Sequence, residues 1–504
     1  MSSDILNRIL SARVYDVAIQ TPLEHAGRLS NRLDNNVLFK REDLQSVFSF
    51  KLRGAYNKLA QLTTAEIADG VICGSAGNHA QGVALAAKKF GVRAVAVMPV
   101  STPAIKLSAV RDLGGEVILH GANYDEAHAH AIGLADEQGL AFIHPFDDLD
   151  VIAGQGTIGL EILKQHDGPI DAVFVPIGGG GLIAGIAICI KAKTPGTRII
   201  GVEPEESASM HAALEAGAPV TLDHVGIFAD GVAVRRVGDE TFRICREHVD
   251  EIILVSTDEI CAAIQDIFED TRAIVEPAGA LAVAGLKRYI EKTCVTGKSF
   301  VTVNCGANVN FDRLRHIAER AAIGEQREAL FAVEIPEHQG SFLAFCNALD
   351  RRNVTEFNYR YGDHATARIF VGVELSRGKA ERREITEELK KSGYRVIDLS
   401  DDEMAKLHIR HMVGGQAPGI ENERLFRFEF PERPGALLAF LSAIGNRWNI
   451  SLFHYRNHGS DYGRVLAGVQ VPETELPDFD RHLKDLGYPY WDESANPAYR
   501  MFLA

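Results

Sequence analysis

Lys51 stands in the run Ser49-Phe50-Lys51-Leu52-Arg53-Gly54, between a bulky aromatic and a leucine. Residues 37–40 read as a strand, 41–46 as a polar turn and 52–62 as a helix, so the lysine falls at a helix start. Partial desolvation and the positive end of the helix dipole both favour the neutral amine there. That is the form that condenses with a carbonyl to make a Schiff base. An ordinary solvated lysine fits the hexapeptide at least as well. The second set of residues is Gly178, Gly179, Gly180 and Gly181, between a buried strand (171–177) and a helix (182–192). Without side chains, their N–H groups can close around an anion at a helix N-terminus. No Lys-Ser/Thr pair follows, which excludes a P-loop. Gly179-x-Gly181-x-x-Ala184, with Glu203 about twenty residues on, also satisfies the dinucleotide fingerprint. Four consecutive glycines suit one phosphate cupped on several sides better than a passing pyrophosphate.

Two further groups carry chemistry. Ser75-Ala76-Gly77-Asn78-His79 opens a helix (78–90), and its N–H groups and serine hydroxyl can hold a carboxylate while the Asn78 amide donates to a phenolate oxygen. A plain N-cap by Ser75 or Asn78 is the alternative. Cys305, in Asn304-Cys305-Gly306-Ala307-Asn308, ends a strand where it can face a ligand or simply fill core space. His120, His128 and His130 lack the spacing of a shared helix face, and His408 with His411 lacks a third ligand, so no metal site is expected.

These residues need a scaffold, and 504 residues are too many for one core. A formal charge of -15 disfavours nucleic acid and anionic membranes as partners. Seven scattered cysteines without C-x-x-C spacing fit reduced thiols and a cytoplasmic location. The N-terminal stretch lacks the pattern of a signal peptide, and the longest apolar stretch (182–190) is far too short to span a membrane. From about residue 70 strands and helices alternate, which predicts an α/β fold with parallel sheets in two lobes, the second beginning near residue 157. Ligands bind such sheets at the carboxyl ends of their strands. After about residue 321 the pattern changes. Phe331/Phe426, Pro336/Pro431, Gly340/Gly435, Tyr359/Tyr455 and Gly372/Gly468 mark an internal repeat of ferredoxin-like (α+β) type, joined by a glycine-rich linker at 412–422. The expected domains are 1–321, 329–400 and 423–494.

Ser-Phe-Lys-x-Arg-Gly, Ser-Ala-Gly-Asn-His, the four glycines with Leu182, Glu276-Pro277-Ala278-Gly279 and Cys305-Gly306 together resemble the fold-type II pyridoxal-phosphate enzymes. With the paired repeats, which look like ACT-like regulatory domains, the whole chain resembles the biosynthetic threonine dehydratase family. The resemblance implies a lyase that deaminates L-threonine, and secondarily L-serine, to 2-oxobutanoate and ammonium on the way to isoleucine. It implies Lys51 as the Schiff-base lysine and α-proton acceptor, with the cofactor phosphate as proton donor to the leaving hydroxyl. Gly178 to Leu182 would hold that phosphate, Asn78 the ring 3-oxygen, Phe50 the side of the ring and Cys305 its pyridine nitrogen. Ser75 to His79 would meet the substrate. Related serine racemases have a serine where this chain has Ala76, which argues against racemisation. The family further implies inhibition by isoleucine opposed by valine at a region including Tyr359 and Tyr455, and a homotetramer. The loops 337–340 and 432–435 are candidate head-group sites. The rival readings are a catabolic serine/threonine dehydratase, an amino-acid sensor on the same fold and, more distantly, a nicotinamide-dependent dehydrogenase.

Overall fold

The computed structural model describes residues 2–504 except 76, 101, 103, 122, 123, 339, 350, 351, 361–365, 413–416, 418, 419, 432–435, 445, 446, 457–461, 498, 500–502 and 504. The chain divides into two compact units, residues 1–321 and 322–504.

The first unit contains ten strands: β1 (Leu23–His25), β2 (Asn36–Arg41), β3 (Val71–Gly74), β4 (Ala94–Met98), β5 (Glu116–Leu119), β6 (Ala141–Phe142), β7 (Ala172–Pro176), β8 (Arg198–Pro204), β9 (Glu251–Val255) and β10 (Ser299–Asn304). A small lobe is built on a parallel sheet in the order β5-β4-β3-β6, and a large lobe on the sheet β1-β2-β10-β7-β8-β9. Only β1 runs antiparallel in the large sheet. Strands β4 and β7 are buried along their whole length, as expected of parallel strands covered by helices on both faces.

The large lobe does not begin near residue 157. Strand β2 lies in its sheet, directly beside β10, so the lysine and Cys305 leave neighbouring parallel strands at their carboxyl ends. Only long-range pairing decides which sheet an isolated strand joins, and local pattern does not carry that information. The helix expected at 157–165 starts earlier, at Leu149, where Asp148 accepts the N–H groups of Asp150 and Val151. That cap is a standard helix start.

The turn after β2 is polar but not solvated. Glu42, Asp43 and Gln45 are buried, and Arg53 of the lysine motif is fully buried beneath them. Arg53 donates to Glu42 (2.8 Å) and Glu161 (2.6 Å), while Lys40 bonds Glu161 at 2.5 Å and the Thr21 carbonyl at 2.6 Å. Every charge in this cluster is paired, which is the condition for burying charge at all. It ties the helix Lys51–Gln61 to the helix Leu149–Gln165. The two approach so closely that a Cβ on Gly54 would lie 2.8 Å from the Val151 carbonyl, and one on Gly154 2.7 Å from the Arg53 carbonyl.

The second unit has strands β11 (Glu328–Pro336), β12 (Val354–Arg360), β13 (Thr366–Glu374), β14 (Arg395–Asp398), β15 (Glu423–Pro431), β16 (Asn449–Arg456), β17 (Tyr462–Gln470) and β18 (Tyr490–Asp492). Each copy of the repeat forms a four-stranded antiparallel sheet, and β12 pairs with β16 to join them into one sheet of order β14-β11-β13-β12-β16-β17-β15-β18. Pairing covers the two edges that would otherwise be exposed. The core is aromatic: the Phe342 ring lies 4.9 Å from Phe357, 4.6 Å from Tyr359 and 5.6 Å from Phe453 of the second copy. Among the described residues no helix is long and apolar enough to cross a membrane.

Candidate active site

Lys51 is the first residue of its helix, and the loop before it is stitched to the segment after β10. The Phe50 N–H donates to the Cys305 carbonyl (3.2 Å), the Ala307 N–H to the Phe48 carbonyl (2.8 Å), and Ser49 bridges Gly306. These bonds set Phe50, Lys51 and Cys305 around one space. Burial lowers the titration of Lys51, opposed by the carboxyls of Glu276 and Asp230. Lys51 is partly buried, and among the described residues its ammonium has no hydrogen-bond partner.

The glycine loop has the form of a cup. Gly180 adopts φ +96° and caps the helix Gly181–Lys193, a conformation that favours glycine. A Cβ on Gly179 would lie 2.2 Å from the Phe146 ring, and one on Gly178 2.9 Å from the Val232 Cα. Thr241 holds the loop by donating to the Gly179 carbonyl at 2.7 Å. Leu182 is buried behind it. The dinucleotide reading loses its acid: Glu203 is buried and accepts the N–H groups of Met210 (2.8 Å) and His211 (2.9 Å). Burial pushes its carboxyl up to about 8 despite those bonds.

At the small-lobe turn, Gly77 rather than Ser75 or Asn78 caps the helix Asn78–Phe90, without any side-chain cap bond. Ser75 Oγ accepts the Gly77 N–H at 3.3 Å. Ala76 lies outside the described residues. Asn78 is buried, and its Nδ2 donates to Glu276 Oε1 at 2.6 Å while its Oδ1 accepts from Asn308 at 2.7 Å. The side chain of His79, expected at the substrate, is turned away: its Nε2 meets the Ile143 carbonyl at 2.9 Å, and burial lowers its titration to about 3. The ring ties the start of the helix Asn78–Phe90 to the segment after β6, which leaves the backbone N–H of His79 rather than its side chain for a ligand.

Cys305 is buried with Sγ 3.4 Å from the Ala278 carbonyl, and burial holds the thiol neutral. Glu276 is raised to about 7, first by burial and then by Asp230. Asp230 in turn pairs with Lys106 of the small lobe. Glu276 and Asn308 stood inside motifs visible in the sequence, whereas Phe146 and Thr241 have no local signal and reach the cup only through the fold.

In the second unit, Tyr359 is buried and its hydroxyl donates to Glu337 at 2.6 Å. They border a cleft that Pro336 and Phe342 share with Leu441 and Trp448 of the second copy. Tyr455 is fully buried. The loop 432–435 lies outside the described residues.

An amine whose titration burial lowers, in the same unit as an anion cup at a helix start, suits a phosphate-bearing aldehyde, which an amine can bind covalently while such a cup holds its charge. Comparison with known proteins agrees. Residues 14–306 match the family model "Pyridoxal-phosphate dependent enzyme", and residues 319–409 and 414–503 each match "C-terminal regulatory domain of Threonine dehydratase". The chain is 57% identical to the L-threonine dehydratase biosynthetic IlvA of Burkholderia multivorans, covering 100% of both chains. It is 58% identical to that of Escherichia coli, covering 100% of this chain and 97% of the relative. The solved structure of the processed form of threonine deaminase isoform 2 from Solanum lycopersicum is 51% identical with a TM-score of 0.63, covering 64% of this chain and 88% of the other. With a catalytic unit that fits the cofactor and a duplicated regulatory unit after it in the sequence, this chain belongs to the biosynthetic threonine dehydratase family of pyridoxal-phosphate-dependent enzymes.

Proposed function

We propose that this chain deaminates L-threonine, and L-serine less well, to the corresponding 2-oxo acid and ammonium, with isoleucine as inhibitor, valine as its antagonist and a homotetramer as the working form. The observation that carries the catalytic reading is the Lys51 amine, whose titration burial lowers and which has no hydrogen-bond partner among the described residues, in the same unit as a four-glycine cup at a helix start. When bound, pyridoxal phosphate supplies the electron sink that acidifies the α-carbon of the amino acid. Lys51 is the residue that holds the cofactor and, once released by substrate, takes the α-proton. Gly178 to Leu182 hold the phosphate through backbone N–H groups at the start of their helix. Phe50 walls the ring and Asn78 donates to its 3-oxygen. The turn Ser75–Gly77 with the N–H groups of Asn78 and His79 receives the substrate carboxylate. The neutral Cys305 thiol would meet the pyridine nitrogen without charging it, which would favour loss of the β-hydroxyl over transamination. Ala76 has no hydroxyl to move a proton on the opposite face, so racemisation is not the main reaction.

The regulatory domains span 329–400 and 423–494, and the Tyr359–Glu337 pair beside a cleft of mixed polar and apolar lining supports the first copy as an effector site. Such a site regulates only if the effector binds two states of the protein unequally. The test is 2-oxobutanoate formation from L-threonine by the full chain, with and without isoleucine. The expected result is activity that isoleucine suppresses and that falls by about a thousandfold in Lys51→Ala. Activity surviving in Lys51→Ala overturns the lysine assignment, and activity indifferent to isoleucine overturns the regulatory one.

A further inference from the structure

Glu276 is a buried acid in the crevice that has no part in the reading above. It precedes the helix Pro277–Thr293, yet its carboxylate makes no capping bond there. Its Oε1 instead accepts from Asn78 Nδ2 at 2.6 Å. The Asn78 Oδ1 is engaged in turn by Asn308 Nδ2 at 2.7 Å, and the same Asn308 nitrogen donates to the Val47 carbonyl at 2.9 Å. With both its hydrogens spent, that nitrogen acts only as a donor. Flipping the Asn78 amide would therefore set donor against donor at Asn308 and acceptor against acceptor at Glu276. One N–H is the only hydrogen-bonding capacity that Asn78 has left to donate.

The backbone holds the arrangement together. The Glu276 N–H donates to the Gly306 carbonyl at 3.1 Å, and a Cβ on Gly306 would lie 2.4 Å from Glu276 Oε1. The segment after β10, the start of a large-lobe helix and the small-lobe turn thus converge on one amide. We propose that Glu276 and Asn308 are a positioning pair that locks the Asn78 amide as a donor to the cofactor's ring 3-oxygen. This rests on Lys51 being the cofactor's lysine. A fixed donor stabilises the oxygen as an anion and leaves the shared proton on the lysine-derived nitrogen, the form that absorbs at longer wavelength. Burial moves Glu276 toward its neutral form, so glutamine reproduces both its shape and its accepting oxygen.

The experiment compares the holoenzyme with Glu276→Ala, Glu276→Gln, Asn308→Ala and the double alanine variant. It reads the cofactor absorption spectrum and the affinity of each apoprotein for pyridoxal phosphate, with melting temperature as a check of folding. Glu276→Ala and Asn308→Ala should each shift the spectrum toward the short-wavelength form and weaken cofactor binding by about tenfold, the size expected for one lost buried hydrogen bond. The double variant should be no weaker than about twofold beyond either single one, because both act on the same amide. Glu276→Gln should keep the wild-type spectrum and bind within about twofold. A folded Glu276→Ala with unchanged spectrum and affinity overturns the proposal, and so does a Glu276→Gln as impaired as the alanine variant. A wild-type protein that takes up no coloured cofactor overturns the Lys51 assignment and this one with it, whereas colour unchanged across the variants overturns the positioning pair alone.

Discussion

The thiol of Cys305 lies among carbonyl and carboxyl groups, and both burial and Glu276 oppose its ionisation. A serine hydroxyl is the same kind of neutral partner, so Cys305→Ser should retain threonine deamination within a few-fold. An aspartate would place a second carboxyl beside Glu276 and hold a proton on the pyridine nitrogen. Cys305→Asp should lose on the order of a hundredfold in kcat/KM, and an active aspartate variant would end the neutral-partner argument. At this scale the sequence was legible where a residue's neighbours in the chain are also its neighbours in space. Lys51 beside Phe50 and the run of glycines are of that kind. His79 and Arg53 are not: they sit in the same motifs, but their side chains answer to Ile143, Glu42 and Glu161, which lie in other segments.

The cup between β7 and the helix Gly181–Lys193 is an element whose shape depends on another element pressing against it. Phe146 occupies the space that any side chain at position 179 would need. Gly179→Ala should therefore displace either the ring or the loop, and cofactor affinity should fall by at least about tenfold, since a small overpacking strain costs roughly 1–3 kcal/mol. Adding Phe146→Ala should restore part of that affinity, and a double variant as weak as the single one would show that the ring is not the obstacle. The regular elements on either side were legible from periodicity, with ends displaced by a residue or two. The helix Asp239–His248, which holds the cup through Thr241, escaped because nothing local marks a helix as a support for a distant loop.

At the scale of the whole molecule, two histidines and two glutamates with shifted titration act on stability in opposite directions. His79 and His144 titrate at about 3 and about 4 instead of 6.5, so the unfolded chain binds more protons below pH 6.5 and stability rises with pH up to that point. Glu276 and Glu203 titrate at about 7 and about 8 instead of 4.5, so the folded chain binds more protons above pH 4.5 and stability falls as pH rises toward 8. The two effects oppose each other from pH 4.5 to 6.5; above it the loss from the two carboxyls is set against a gain from Lys51, Lys40 and Lys287, whose titration burial lowers. Between pH 6.5 and 8 the melting temperature of Glu203→Gln should accordingly rise relative to that of the parent protein, because the variant lacks the loss that Glu203 contributes; parallel profiles for the two proteins would refute the assignment. The division into a catalytic unit and a duplicated one was legible from the change in pattern and the repeat. Membership of β2 in the large sheet was not, because it depends on a strand more than two hundred residues away.

That separation has a consequence for how the protein is made. In the finished sheet β2 has β1 on one side and β10 on the other. A chain leaving the ribosome N-terminus first, at about 5–20 residues per second, exposes Lys51 well before β10 exists. Until then β2 has only a three-residue neighbour, and neither Cys305 nor Glu276 is in place around the amine. The nascent lysine is an ordinary surface amine, and it becomes a selective trap for an aldehyde only when nearly the whole first unit has been synthesised. Cofactor capture thus reports on completed folding, and a chain truncated before residue 299 should not acquire it.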